Sequence, residues 1–298
     1  MSTTTQDAVR REAPHAQETA SDPGRDTFRI GRWAVSVGLI VYGIFLIFPF
    51  YWTINTSLKP SPEALAQPPT LVPKEFTTSS YSWLTSGTPS NALIDSLVVT
   101  MGSTALAVLF GAMAGYAFSR WPKPTGGEEM AFFLLSTRIF PPVAVALPIY
   151  FAFDRFRLLD SYTGMILLYL SFGIPLATWL MRSFFDELPR SYEEAAYLDG
   201  YGRIETFFKV TLPLVAPGIV ATAILTALFS WNEFLFALII GGDHVKTYPA
   251  IIPTLATGFQ VDWSHITALS VAAMVPPVLV VIFLRKHLVR GMSLGAVK

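Results

Sequence analysis

Six stretches of this sequence are apolar and long enough to cross about 30 Å of hydrocarbon as helices of about 20 residues. They cover roughly residues 33–54, 92–119, 130–152, 163–185, 214–240 and 266–285. Lipid offers a backbone amide no partner outside its own segment, so each stretch is predicted to be helical. Composition agrees: 52% of the 298 residues are apolar and 14% are charged, where a soluble chain carries about 25% charge. The expected fold class is an all-α integral membrane protein with six transmembrane helices, formed by residues 29–298. Residues 1–28, "MSTTTQDAVRREAPHAQETASDPGRDTF", lack apolar periodicity and read as a disordered tail. No apolar core follows the start closely enough for a signal peptide. The first run reads instead as a signal anchor.

Prolines fall inside several stretches: Pro49, Pro141, Pro142, Pro148, Pro175, Pro276 and Pro277. Each is predicted to interrupt or kink its helix, with neighbouring helices or a watery cavity satisfying the freed carbonyls.

The placement of charge gives the orientation. The tail, the 120–127 and 182–213 loops and the C-terminus hold 15 of the 21 Lys and Arg residues, while the 55–91, 153–162 and 241–265 loops hold 5. The positive-inside rule then predicts that both termini are cytoplasmic, together with the loop at 186–213. Net charge is zero, so the total predicts no nucleic-acid partner. There is no cysteine, which excludes disulfides and thiolate metal sites. The four histidines are scattered, and no metal cluster is predicted.

The 186–213 loop is long and polar where a short turn would connect two helices. Pro189 ends the helix before it. Ser191 and Glu194 have capping-box spacing, which predicts a short helix from about Tyr192 to Leu198. Asp199-Gly200 stops it, because glycine accepts the left-handed conformation of a helix end. Gly202 permits another sharp turn. A second amphipathic piece with Ile204, Phe207, Phe208 and Val210 continues to Pro213. Ala195 and Ala196 would let a partner come close, and Phe207 and Phe208 would anchor the second piece against the transmembrane ends. Two readings stand side by side: a rigid knob offered to a cytoplasmic partner, or an interfacial helix without one.

These residues resemble the "EAA" loop of ABC-importer permeases. The resemblance rests on Glu194-Ala195-Ala196, Asp199-Gly200, Phe207, Val210, Leu212-Pro213 and Pro217-Gly218. Thr137 to Pro142, Trp231 to Phe234 and the tail Arg290 to Lys298 are similar to the carbohydrate branch, the maltose-importer-like permeases. The resemblance implies a type I ABC importer permease fold. It also implies a coupling helix, made of Glu193, Glu194, Ala195, Ala196, Asp199, Gly200 and Tyr201, that fits a cleft on an ATP-hydrolysing subunit. Tyr201 departs from the alanine usual in the family. The implied partners are ABC ATPase subunits, a second homologous permease in a heterodimer, an extracytoplasmic solute-binding protein and the bilayer of a bacterial plasma membrane. The implied cargo is a sugar, oligosaccharide or polyol, moved inward by alternating access. The alternatives are a non-sugar cargo such as glycerol phosphate, or an autonomous channel or carrier.

No phosphate-cradling G-x-x-x-x-G-K-[ST] loop is present, and neither is an H-E-x-x-H helix or a G-x-S-x-G elbow. The chain is therefore not expected to be an enzyme or to hold a cofactor. ATP and Mg would sit on the partner ATPase.

Within the fifth stretch, Thr222, Thr226, Ser230 and Glu233 fall on one helical face. An acidic residue inside a membrane usually faces a bundle interior or a watery cavity. This face is expected to line the translocation path. Asn232 and Glu233 would hydrogen-bond hydroxyl groups, and Trp231 and Phe234 would stack on a sugar ring. The competing reading makes Glu233 structural glue between helices. Arg138, beside the Pro141-Pro142 break, reads as a structural intramembrane charge. It would pair with a carboxylate or cap carbonyls freed by the break. Gly111-x-x-x-Gly115 reads as a close-packing face.

Overall fold

The computed structural model describes residues 23–256 and 261–294. Most of the expected tail lies outside the described residues. Those that are described contain helices and no strand. The chain divides into two compact units, residues 1–51 and 52–298. The first holds most of helix α1 (Pro23–Ser57), which contains Pro49 without a break. Large apolar side chains of α1 from Trp33 to Phe50 are exposed, as a lipid-facing helix requires.

The second unit is built on α2 (Gly87–Arg120), α3 (Gly127–Ser136), α4 (Pro142–Arg155), α5 (Tyr162–Glu187), α6 (Ser191–Leu198), α7 (Ala216–Trp231), α8 (Leu235–Ile240), α9 (Tyr248–Leu255) and α10 (Trp263–Leu294). Four helices are long and apolar enough to cross a membrane, in α1, α2, α5 and α10. Two bent pairs raise the number to as many as six if each counts as one span.

The centre is the parallel pair α2 and α5. Its two ends are tied by hydrogen bonds from Tyr162 to Asp95 at 2.6 Å and from Ser119 to Asp186 at 2.5 Å. The pair packs tightly because Gly111 and Gly115 have no side chain. A Cβ at Gly111 would lie 2.5 Å from the Ala177 Cβ, and one at Gly115 would lie 2.7 Å from the Arg182 nitrogen. The small-residue face is thus a packing face. α5 is the most enclosed of the long helices: 56% of its apolar window is buried, against 33% for α2 and 17% for α10.

Two of the six expected stretches are not straight helices. The third bends by 90° between Pro122–Ile139 and Pro142–Arg155. A residue before proline is pushed out of the helical region. Phe140 and Pro141 both precede a proline, and both are extended at ψ 131° and 121°. Pro148, Pro175, Pro276 and Pro277 instead lie inside continuous helices. The expected interruption therefore occurs at the Pro141-Pro142 step and not at these four.

The fifth stretch was expected to be continuous over 214–240. It stops at Trp231 and restarts at Leu235, with a 77° bend between Arg203–Leu214 and Ala216–Trp231. The stop at Trp231 has a local cause. Asn232 turns its Nδ2 back onto the Leu228 carbonyl at 2.8 Å, and Glu233 caps the next helix. At the opposite end of α7, Phe207–Thr211 winds as a π-turn that runs directly into Leu212–Leu214. The second loop piece thus reaches Leu214, and Pro213 falls inside it.

Three apolar clusters fill the bundle. One joins α2, α5, α8 and α9 through Val99, Met165, Leu168 and Phe236. A second joins the start of α2 to α7, α9 and α10 through Trp231, Tyr248 and Leu269. The third closes the α6 end, where Tyr116, Phe185 and Phe207 meet around Met181.

Candidate functional site

Two features of the second unit bear on function: a cavity beside α7 and the exposed helix α6. The cavity has a volume of about 590 Å³, and its walls come from the Arg138 turn, α5, α7 and the 232–236 segment. Thr226, Ser230, Asn232 and Glu233 line it, as does Arg138. Phe140, Phe172, Phe229 and Phe234 supply aromatic wall.

The polar groups differ in what they can offer. Glu233 Oε1 accepts the Phe236 amide at 3.0 Å. Its Oε2 accepts the Ala237 amide at 3.0 Å and the Tyr169 hydroxyl at 3.1 Å. A carboxylate at the start of a helix satisfies orphan amides and complements the dipole. Glu233 therefore both faces the cavity and caps α8. Asn232 donates to Leu228 and accepts from the Tyr248 hydroxyl at 3.3 Å. The Thr226 hydroxyl is covered and has no hydrogen-bond partner. Ser230 shares a 3.3 Å hydrogen bond with Ser103 of α2. Arg138 lies in the short turn Thr137–Ile139, with its guanidinium 4.7 Å from the Phe229 ring centre. Among the described residues its contact is this cation–π stack, where a carboxylate partner or carbonyl cap was expected.

Two of the expected path residues stand away from this cavity. Thr222 is fully buried, with its hydroxyl on the Met181 sulfur at 3.4 Å. Trp231 is buried on the opposite side of α7, where its Nε1 donates to the Ala273 carbonyl at 3.1 Å. Its ring packs on Tyr248 at 5.0 Å. Stacking on a sugar from this cavity would fall to Phe234 and not to Trp231. The reason is helical phase: one turn of α7 presents Ser230 to the cavity and turns its neighbour Trp231 into the second core cluster.

Helix α6 stands at the other feature. It begins at Ser191, with Arg190 in the N-cap position and no side-chain cap. The capping box expected from Ser191 and Glu194 is not formed, because Arg190 is itself helical and its carbonyl already accepts the Glu193 and Glu194 amides. Gly200 ends the helix as expected, at φ +91°. The Tyr201 amide reaches back to Ala196 and the Gly200 amide to Tyr197, which satisfies the last carbonyls. Gly202 has an ordinary φ of −75° and begins the next piece.

The two faces of α6 are unlike. Glu193 and Ala196 are buried against the bundle, whereas Tyr192, Glu194, Ala195, Tyr197, Leu198 and Asp199 are exposed, Leu198 at 89%. Tyr201 and Ile204 extend the exposed face. Phe207 anchors the second piece by packing 4.7 Å from Tyr116, while Phe208 remains half exposed on top of it.

Residues 107–294 match the family described as "Binding-protein-dependent transport system inner membrane component". The chain belongs to this family. Among curated members it is 33% identical to the trehalose transport system permease protein SugB of Mycobacterium tuberculosis, over 89% of this chain and 97% of that protein. It is 32% identical to the sulfoquinovosyl glycerol transport system permease protein SmoH of Agrobacterium fabrum, over 94% and 98%. Among solved structures, a bacterial ABC transporter that imports the acidic polysaccharide alginate covers 87% of this chain and 97% of its own, with TM-score 0.74 and 19% identity. The fold is therefore that of an ABC importer permease.

Several residues that organise this member of the family carry no motif. Arg120, Ser119 and Asp186 surround α6, and Tyr169 holds Glu233. Arg120 is visible in the sequence only as one positive charge at the end of a span. Nothing local announces that its guanidinium turns inward.

Proposed function

We propose that this permease subunit forms half of the translocation path of an importer for a sugar, oligosaccharide or polyol. It is driven by separate ATPase subunits that dock on α6. The chain is a non-catalytic member of its family, and its relatives carry trehalose or sulfoquinovosyl glycerol by name. The observation that carries the coupling reading is the two-faced α6: one face is locked into the bundle, and the other presents Leu198 almost fully exposed, with Tyr197 and Tyr201 partly exposed beside it. An interfacial helix without a partner has no need of a stop as rigid as that at Gly200. The partners proposed are a second homologous permease and a solute-binding protein on the far side.

Six spans with both termini and α6 on the cytoplasmic side fit the distribution of Lys and Arg. The path is assigned to Thr226, Ser230, Asn232 and Glu233, with Phe234 and Phe229 offering ring faces. Thr222 and Trp231 support that wall from behind. Arg138 and Glu233 place one charge of each sign on the cavity. That balance favours an uncharged cargo over a phosphorylated one.

The chain lacks cysteine, so a single Leu198→Cys gives a clean probe. In vesicles of known orientation, a membrane-impermeant thiol reagent is expected to label it from the cytoplasmic side. Bound ATPase subunits are expected to block the reaction. Labelling from the outside would overturn the orientation, and unhindered labelling in the assembled transporter would overturn the docking.

A further inference from the structure

We infer that Arg120 is a positioning residue for coupling: it locks α6 to α2 so that a push on α6 reaches the cavity through α2 as one rigid body. The inference rests on the docking of α6 proposed above and assigns the link behind it.

Arg120 is the last residue of α2 and is buried. Its Nε donates to Glu193 Oε1 at 2.7 Å, and both side chains are 6% exposed. Its Nη2 donates to the Leu188 carbonyl at 3.1 Å, in the link between α5 and α6. Its Nη1 donates to the Ser119 hydroxyl at 3.1 Å, which in turn donates to Asp186 at the end of α5. Thr211, in the second loop piece, adds a hydrogen bond to the same Glu193 oxygen at 3.4 Å. One guanidinium thus gathers α2, the end of α5 and α6, and through Glu193 the second loop piece.

A buried ion pair is a poor way to gain stability, because desolvation offsets its Coulomb energy. A fixed fork of donors is a good way to hold several elements in one register. The link Leu188–Arg190 is held by the same end of α2: Arg120 binds the Leu188 carbonyl, and the Arg190 Nη2 donates to the Ser119 carbonyl at 3.3 Å.

The other end of the link is also defined. Seventeen residues before Arg120, Ser103 of α2 hydrogen-bonds Ser230 on the cavity wall. At 1.5 Å per residue that is about 26 Å of continuous helix. Ala107 of α2 packs where a Cβ on Gly173 would lie, 2.8 Å away, against the same wall as Thr226. α2 therefore touches α6 at one end and the cavity at its middle.

The test uses the complete transporter in proteoliposomes and measures solute moved per ATP hydrolysed. That ratio does not change if variants merely assemble in smaller amounts. Arg120→Ala and Glu193→Gln are each expected to lower it by about tenfold, within the roughly 5–150-fold range typical of coupling between sites. Arg120→Lys keeps the charge but loses the fork and is expected to fall between. Crosslinking of Leu198→Cys to the ATPase is measured in parallel. If the crosslink forms in the parent and the variants and the ratio is unchanged, the positioning role is overturned while docking stands. If the crosslink never forms in the parent, docking itself fails. Should Arg120→Ala not insert, Glu193→Gln, which preserves shape, decides the question alone.

Discussion

At the scale of single residues, carboxylates do much of the backbone's work at the end of the unit away from α6. Asp160 accepts the amides of Asp243, His244 and Val245 at 2.8–3.1 Å. Partial burial of Asp160 pushes its carboxyl up, but the three amides outweigh this and hold it below the usual carboxylate range. A depressed folded pKa means that the anchor is complete above the unfolded value of about 3.9 and is lost as pH falls through the folded value. Amides 243–245 are therefore expected to be protected from hydrogen exchange at neutral pH and released only well into the acid range. Asp160→Asn should release them at every pH.

Glu233 was legible as an intramembrane acid with two readings, path or glue, and the geometry gives it features of both. Glu233→Ala removes the acceptor of three hydrogen bonds, each worth about 0.5–1.5 kcal/mol net. It should lower the melting temperature of the purified subunit as well as uptake. Thr226→Val is the contrasting case. Its hydroxyl has no partner, so replacement by an apolar isostere should leave stability equal or higher, and any fall in uptake then reports the path. The Thr226 spacing was readable in the sequence. The covering of its hydroxyl was not, because that depends on neighbouring helices.

At the scale of elements, the sequence was most readable where backbone chemistry is local. The stop of α6 at Gly200 needs a left-handed residue, and the order Asp199-Gly200 announces it. A side chain at Gly200 would meet nothing within 4 Å, so Gly200→Ala tests conformation alone. It is expected to cost about 1–2 kcal/mol from the positive φ. Gly202→Ala, at ordinary φ and in open space, is expected to be nearly neutral. A thermal melt of the two variants checks the difference. The break in the fifth stretch was less readable. Hydropathy continues smoothly through Trp231 to Ile240, and only Asn232-Glu233 hints that one helix is closed and another capped. The prolines were over-read for a related reason. Proline pairs do not behave alike: Phe140 and Pro141 leave helical geometry before Pro142, whereas Pro276-Pro277 stays inside the continuous helix α10, so the prolines alone do not announce which stretch is broken.

At the scale of the whole molecule, the long apolar stretches determined that the chain is a helical membrane protein, because lipid leaves the backbone no alternative. The fixed spacing from Glu194 to Gly218 determined the family, because a helix stop and its flanking turns are set by neighbours in sequence. Tertiary structure decided which way each polar side chain faces. It turned Trp231 into the core and Glu233 toward both a helix end and a cavity. It also brought Arg120 to Glu193 across 73 residues of chain. Those outcomes depend on the rotation of one helix against another. That rotation is fixed by close contacts such as Gly111 on Ala177, between residues that lie far apart along the chain.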